Sequence, residues 1–404
     1  MSNNNILSNR VMAIEPSATI AMSQKSSELR AKGIDVINLS VGEPDFNTPD
    51  HIKAAAKQAI DNNFSFYTPV PGYADLRDAV VQKLRRENAL DYSPDQIVVG
   101  NGAKHELSNV ILALVNPGDE VVIPTPAWVS YIQLVNLCGG KSVTVPAGID
   151  QGFKVTSKQL EDAITPRTRL LILCSPSNPS GAVYSRDELA ALATVLERHP
   201  QVMIISDEIY EHINYVGAHA SLAQFPALKE RVAIINGVSK AYAMTGWRIG
   251  YVAAPLWLAK AVSKLQSQQT SNVSSIAQKA AVAALNGDQT CVETMRQAFE
   301  RRRDLLLELL RHIPGLEVAT PDGAFYAFPR VTAYFGARTP DGDIINDDTD
   351  LALYLLNSAH VATVAGSAFA CPGYIRLSYA TSDDNLRQAA ARIAAALSSL
   401  LPTR

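Results

Sequence analysis

Short, unbroken apolar runs recur along the chain at Ile97-Val98-Val99, Val121-Val122-Ile123, Leu170-Leu171-Ile172-Leu173, Val202-Met203-Ile204-Ile205 and Val232-Ala233-Ile234-Ile235. They are of strand length and do not alternate with polar residues, the pattern of strands covered on both faces. Segments with helical spacing lie between them, including residues 104–115 and 186–198. This alternation predicts an α/β fold with a mostly parallel central sheet and helices on both faces. Upstream, Asp35-Val36-Ile37-Asn38-Leu39 reads as a short strand ending in the turn Ser40-Val41-Gly42-Glu43-Pro44-Asp45. Two amphipathic helices follow, one opened by Asp50 and one running through Leu76, Val80, Val81 and Leu84, with a Pro- and Gly-rich turn at 67–73 between them.

The pattern changes after residue 255. A long helical stretch is expected to residue 286 and another over 290–311, where Arg301, Arg302 and Arg303 are expected to form a solvated face. Short strands at 324–328 and 374–378 and a closing helix striped by Leu386, Ala389, Ala390, Ile393 and Leu397 predict a smaller α+β unit. Residues 339–350 are polar and acidic and read as an exposed loop, and the first ten residues as a loose tail. The expected division is a large domain over 48–288 and a small domain formed by both chain ends, 1–47 and 289–404.

The 404 residues are 47% hydrophobic and 19% charged, which supplies ample material for a large core. The net charge of −3 offers no basic field for nucleic acid or an anionic membrane. Cys138, Cys174, Cys291 and Cys371 are far apart and form no CxxC pair, which argues against zinc and disulfides; no metal is expected. No signal sequence and no run long enough to span a bilayer is visible, so a cytoplasmic protein is expected.

Candidate chemistry gathers just after the strands, at the edge where open α/β sheets bind ligands. The last run leads into Gly237-Val238-Ser239-Lys240-Ala241-Tyr242-Ala243-Met244-Thr245-Gly246-Trp247-Arg248-Ile249-Gly250. A lysine in such apolar company has a lowered pKa and becomes a nucleophile able to form a Schiff base. Arg248, eight residues on, suits a phosphate. Asn101-Gly102-Ala103-Lys104 leads into a helix N-terminus, a natural phosphate seat. Lysine plus phosphate anchor describes a site for pyridoxal phosphate. Asp207 would then keep the ring nitrogen protonated, Asn178 would donate its amide to the phenolic oxygen, and Trp128 would stack on the ring. The alternatives at these positions are a loop lysine with an unrelated arginine, a helix cap, a plain turn and a core tryptophan. Two nucleotide-binding patterns fail: the 101–104 segment lacks the third glycine of a dinucleotide fingerprint, and Val135 stands where a phosphate loop ending in Gly140-Lys141-Ser142 needs its first glycine.

Taken together with VGEPDF, YTPVPGY, NGAKHE, PTPAW, SPSNPSG, SDEIY, GAFYAF and YIRLSYA, in that order over nearly the whole chain, these residues resemble the fold-type I pyridoxal-phosphate enzymes. Within them the chain resembles the class I aminotransferases, in the bacterial branch that holds aspartate and prephenate aminotransferases. The resemblance implies a homodimer whose small-molecule substrates are amino acids and 2-oxo acids. It implies that Lys240 forms the Schiff base and shuttles the proton, with Asp207 on the ring nitrogen and Tyr210 and Asn178 on the phenolic oxygen. Trp128 would face the ring. Arg248, Ser239 and the Gly102-Ala103 backbone would hold the phosphate, and Tyr67 would reach the phosphate in the neighbouring subunit. Arg376 would bind the substrate α-carboxylate beside Gly42. Lys104 would face the substrate side chain in a desolvated site, with Thr19 as a helper, and His105 lies nearest the phosphate loop. Two departures stand out: Gly237 replaces a common phosphate-binding Ser or Thr, and Ala365 replaces a usual proline before Gly366.

The reading is transamination of aspartate or glutamate. The alternatives are an aromatic or prephenate aminotransferase and a pyridoxal-phosphate-dependent lyase on the same fold. A sensor domain of a transcription regulator is disfavoured, because the resemblance begins within the first twenty residues.

Overall fold

The computed structural model describes residues 6–401. A seven-stranded sheet forms its centre, from β1 (Ile97–Gly100), β2 (Glu120–Thr125), β3 (Lys141–Pro146), β4 (Thr168–Cys174), β5 (Met203–Asp207), β6 (Val232–Gly237) and β7 (Gly250–Ala253). Their spatial order is β1-β7-β6-β5-β4-β2-β3. All neighbours are parallel except β7, which runs antiparallel to both β1 and β6. The five apolar runs all form strands. β3 and β7 escape the sequence pattern because β3 is a largely exposed edge with one buried residue, and β7, Gly250-Tyr251-Val252-Ala253, carries no run of aliphatic residues like Ile97-Val98-Val99. Gly140-Lys141-Ser142 is thus a strand entry, not a phosphate loop.

Alternate strand residues face two cores, as a pleated sheet requires. Leu171, Ile204 and Ile234 pack with helices Asp50–Asp61, Ala74–Asn88, Arg186–Arg198 and Ser275–Asn286. Leu170, Ile172, Ile205, Ala233 and Ile235 pack with helices Ala103–Leu114, Ser130–Leu137 and Leu256–Gln269. Two apolar faces are the reason these strands read as unbroken apolar runs.

A further core joins both ends of the chain. Ile37 and Leu39 pack with Phe299, Leu306, Leu355, Leu377, Leu386 and Ile393. Here β8 (Tyr326–Ala327), β9 (Val364–Ala365) and β10 (Ile375–Ser378) form an antiparallel sheet in the order β9-β10-β8. Ile37–Asn38 pairs in parallel with Val361–Ala362.

Several expectations change. The stretch 255–286 is two helices, Leu256–Gln269 and Ser275–Asn286, with Ser271 at φ +61° between them. Arg302 is buried rather than solvated: its guanidinium forks onto Asp45 at 2.8 and 3.0 Å and lies 5.0 Å from the Phe46 ring centroid. It thereby ties helix Thr290–Arg311 to the turn that carries Gly42. Within 339–350, Thr339 and Ile345 are buried and Asp348 begins a helix, so this segment is only partly an exposed loop. Of the expected tail, residues 1–5 lie outside the described residues, and Asn9–Met12 forms one exposed helical turn.

Candidate active site

Loops from the strand ends and from the smaller sheet enclose a cavity of about 310 Å³. Lys240 lies on its wall, three residues past β6. Its Nζ donates to the Gly42 carbonyl at 2.6 Å. Burial lowers its pKa to about 8, opposed by Glu43 and Asp207 and helped by Arg376 and Arg248. The neutral amine is therefore accessible near neutral pH, as a Schiff-base nucleophile requires.

Asp207 ends β5 opposite Cys174 of β4. Burial pushes its pKa up to about 6, against hydrogen bonds from Tyr131 and the Ile209 N–H. The Tyr131 hydroxyl donates to Asp207 Oδ2 at 2.6 Å, and the Tyr131 ring stands edge-on to Trp128 with centroids 5.6 Å apart. Tyr210, buried one turn beyond Asp207, shares a 2.7 Å hydrogen bond with the Tyr326 hydroxyl. A Cβ at Gly42 would come within 2.7 Å of that same Tyr326 oxygen, so only glycine fits there.

Arg376 on β10 is 1% exposed, yet its protein partners are neutral. It donates to Asn178 Oδ1 at 2.8 Å and to the Ser40 carbonyl at 2.6 Å, and its Nε has no partner among the described residues. The Tyr326 and Phe369 rings flank it at 4.5 and 5.0 Å. A buried guanidinium without a carboxylate is costly unless an anion arrives.

The helix Ala103–Leu114 points its N-terminus at Arg248. Arg248 adopts φ +58° and donates to the Thr245 carbonyl at 2.8 Å and the Asn101 carbonyl at 3.2 Å. A Cβ on Gly102, itself at φ +87°, would meet the guanidinium at 2.2 Å. Glycine is therefore required for arginine and helix end to converge on one anion seat, with Ser239 also on the cavity wall.

Thus Gly42, Ala103, Lys104, Trp128, Asn178, Asp207, Tyr210, Ser239, Lys240, Arg248, Arg376 and Thr19 line one cavity, and Gly102 abuts it. Tyr67 stands apart, 93% exposed, beside exposed Phe66. His105 does not line the cavity; its Nδ1 accepts from the Asn101 N–H at 3.2 Å. Lys104 is partly exposed at the cavity mouth rather than fully desolvated, with its ammonium 4.7 Å from the Trp128 ring centroid. A Cβ at Gly237 would come within 2.8 Å of Gly250 Cα and the Ile249 carbonyl, so the β6–β7 pairing excludes a serine or threonine there. The turn after Ala365 is closed by the Gly366 N–H on the Tyr374 carbonyl at 2.7 Å. Tyr131 and Tyr326 were missed as site residues. The first lies three positions after Trp128, one helical turn on, and the second sits inside the GAFYAF segment.

Fold and site together place a buried lysine of lowered pKa in one cavity with a helix end and an arginine that converge on an anion seat. The aminotransferase class I and II family matches residues 34–393, and the chain belongs to that family. It is 51% identical to an aspartate/prephenate aminotransferase of Cereibacter sphaeroides over 96% of this chain and 98% of the relative. It is 50% identical to one of Nitrosomonas europaea over 97% and 100%. The solved aspartate aminotransferase from Rhizobium meliloti superimposes with a TM-score of 0.95 at 47% identity, covering 98% of this chain and 99% of that one. The enzyme is an aminotransferase of fold type I that uses pyridoxal 5'-phosphate. The residues present fit that group: an anion seat that tolerates no side chain at Gly102, a buried carboxylate in Asp207, an aromatic wall in Trp128 and a lysine of lowered pKa.

Proposed function

We propose that this aminotransferase takes the amino group from aspartate or glutamate and delivers it to a 2-oxo acid. The observation that carries the reading is a pair of cations in one cavity. Arg376 is buried among neutral partners and suits an α-carboxylate; Lys104 stands over Trp128 and suits a second carboxylate. A related solved structure, from Thermus thermophilus, is an aspartate aminotransferase with maleate, itself a dicarboxylate, at 43% identity and a TM-score of 0.90 over 96% of this chain and 99% of that one. Prephenate is a second reading, supported by the names of the Cereibacter and Nitrosomonas relatives. It too carries a distal carboxylate that Lys104 and Thr19 would meet.

The bound cofactor supplies the electron sink that makes the substrate Cα–H acidic. In the proposed mechanism Arg376 and Asn178 orient the α-carboxylate. Lys240 takes the Cα proton and returns it to the cofactor side of the site. Asp207 keeps the ring nitrogen charged, Tyr210 and Asn178 hold the phenolic oxygen, and Arg248, Ser239 and the Gly102-Ala103 backbone hold the phosphate. A lyase would use the same groups, so transamination is distinguished by stoichiometric conversion of the cofactor to its amine form on adding an amino acid alone.

The proposed organisation is a large domain over 48–288 and a small one from both chain ends, in a cytoplasmic homodimer. Exposed Phe66 and Tyr67 and a depression beside Arg248 lined by Phe46, Thr48 and Trp247 support cross-subunit reach. No helix among the described residues is long and apolar enough to cross a membrane. A fully active monomer in sedimentation under assay conditions would overturn the dimer. The substrate is tested with a panel of donors against 2-oxoglutarate and oxaloacetate, and with prephenate as acceptor. Aspartate and glutamate are expected to exceed alanine by about tenfold or more in kcat/KM. Equal rates for alanine would sink the dicarboxylate reading.

A further inference from the structure

We propose that Tyr131 is a positioning residue that holds Asp207 as an anion aimed at the cofactor's ring nitrogen, so that one helical turn recognises both the face of the ring, through Trp128, and its nitrogen edge. The inference rests on the assignment of Asp207 to that nitrogen.

The geometry leaves the carboxylate little freedom. Oδ2 is taken by the Tyr131 hydroxyl at 2.6 Å, while Oδ1 accepts only the Ile209 N–H at a long 3.3 Å. Oδ1 is thus the oxygen with capacity left for a further donor. Tyr131 is buried, and its ring is fixed edge-on to Trp128 at 88°. Burial, followed by the nearby Asp207 charge, raises the Tyr131 phenol well above its ordinary range. The hydroxyl therefore keeps its proton and donates it to the Asp207 carboxylate. The neighbouring anion, Glu208, is turned away: its Oε1 accepts from Ser206 at 2.7 Å and Ser221 at 2.5 Å. Lys240 is the cation that favours the ionised Asp207 from the cavity side.

In a dry pocket an aspartate and a pyridine nitrogen share one proton. Whatever stabilises the carboxylate moves that proton onto nitrogen. Burial alone works the other way at Asp207, and Tyr131 offsets it. Losing the hydroxyl would pull the proton toward oxygen and weaken the electron sink, leaving the substrate carboxylate contacts at Arg376 untouched.

The test uses holoenzyme carrying cofactor labelled with 15N in the ring, in the wild type, Tyr131→Phe, Asp207→Asn and a variant with 3-fluorotyrosine at 131. Tyr131→Phe is expected to move the ring-nitrogen signal toward the unprotonated form and to lower kcat about tenfold, with KM for aspartate within about twofold. The fluorinated residue keeps the shape and donates more strongly, so its signal should move toward the protonated form. It also carries the test should Tyr131→Phe fold poorly. Wild-type signals and kcat in the Tyr131 variants, with a shifted signal in Asp207→Asn, would overturn the role of Tyr131 and leave that of Asp207 standing. An unshifted signal in Asp207→Asn would remove the Asp207 assignment, and this inference with it.

Discussion

The segment Ser206-Asp207-Glu208-Ile209-Tyr210-Glu211 feeds two buried polar clusters that differ in how far the chain completes them. Asp207 and Tyr210 face the cavity. Glu208 and Glu211 face a network inside the fold. There Glu211 pairs with Lys83, accepts from Asn88 at 2.8 Å and from Asn236 at 2.7 Å, and Lys83 also donates to Asn88 at 2.8 Å. Glu208 accepts from two serines, and His219 Nε2 lies 3.1 Å from it, at ion-pair distance but not aligned for a hydrogen bond. In this network Glu211 has the Lys83 ammonium from the same chain, and Glu208 has two serines and a nearby imidazole. In the cavity, Arg376 has no carboxylate among the described residues and Lys104 meets only a ring. Two groups of potential metal ligands, Glu87-Glu211-His212 and Glu208-Glu211-His219, belong to the completed network, where the Lys83 ammonium already serves Glu211. Burial of charge alone does not mark a site; burial without a partner does.

The largest effect expected from breaking this contrast is at Lys240. Lys240→Ala should retain cofactor and fold but lose turnover by at least about four orders of magnitude, since it removes the group proposed as both nucleophile and proton carrier. Borohydride reduction followed by peptide mass spectrometry should find the cofactor on Lys240 in the wild type. An adduct on another lysine would end the assignment.

The completed network should respond in stability instead. Lys83→Met strands Glu211 in the interior and is expected to cost about 3–5 kcal/mol in unfolding experiments. Lys83→Met with Glu211→Leu should recover much of that, because no unpaired charge remains. The kcat of the folded fraction should change little in either. Acid adds a second readout. Burial alone would raise the Glu211 carboxyl, but Lys83, His212 and His219 overcome it and hold it well below the usual carboxylate range. A depressed carboxylate contributes stability that is present above its unfolded pKa of about 4 and is lost as pH falls toward the folded value. Glu211→Gln should therefore flatten the acid limb of the stability curve. A large drop in kcat with unchanged stability would erase the distinction between the clusters.

How much of this was legible in the sequence divides along the same line. Strands buried on both faces announce themselves as apolar runs, and most of the residues that line the cavity lie in short segments next to them. What escaped depends on contacts between distant segments. Tyr131 meets Asp207 across 76 positions, and Arg302 meets Asp45 across 257. A run of three arginines on a helix looks solvated until the turn it grips is seen in space. The edge strand β3 carries no apolar run because one of its sides has no neighbour. The exposure of Lys104 was likewise invisible, since a helix N-terminus can open into a closed pocket or its mouth.

That exposure sets the size of the smallest effect. A fully buried pair that loses a partner costs about 2–5 kcal/mol. A solvated pair contributes about 0–1 kcal/mol. Lys104 lines the cavity but is exposed, so it falls between these limits. Lys104→Ala is accordingly expected to lower kcat/KM for aspartate about tenfold, and for phenylalanine within about twofold. The pH dependence gives an independent check. Burial, then the like charge of Arg248, lowers the Lys104 pKa, and the ammonium is present only below it. The preference for aspartate over phenylalanine should therefore hold at lower pH and fade as pH rises through that lowered value. In Lys104→Ala the ratio of the two donors should show no such decline. Equal losses on aspartate and phenylalanine would mean that Lys104 does not read the side chain, and that the cavity offers a dicarboxylic substrate only the one cation of Arg376.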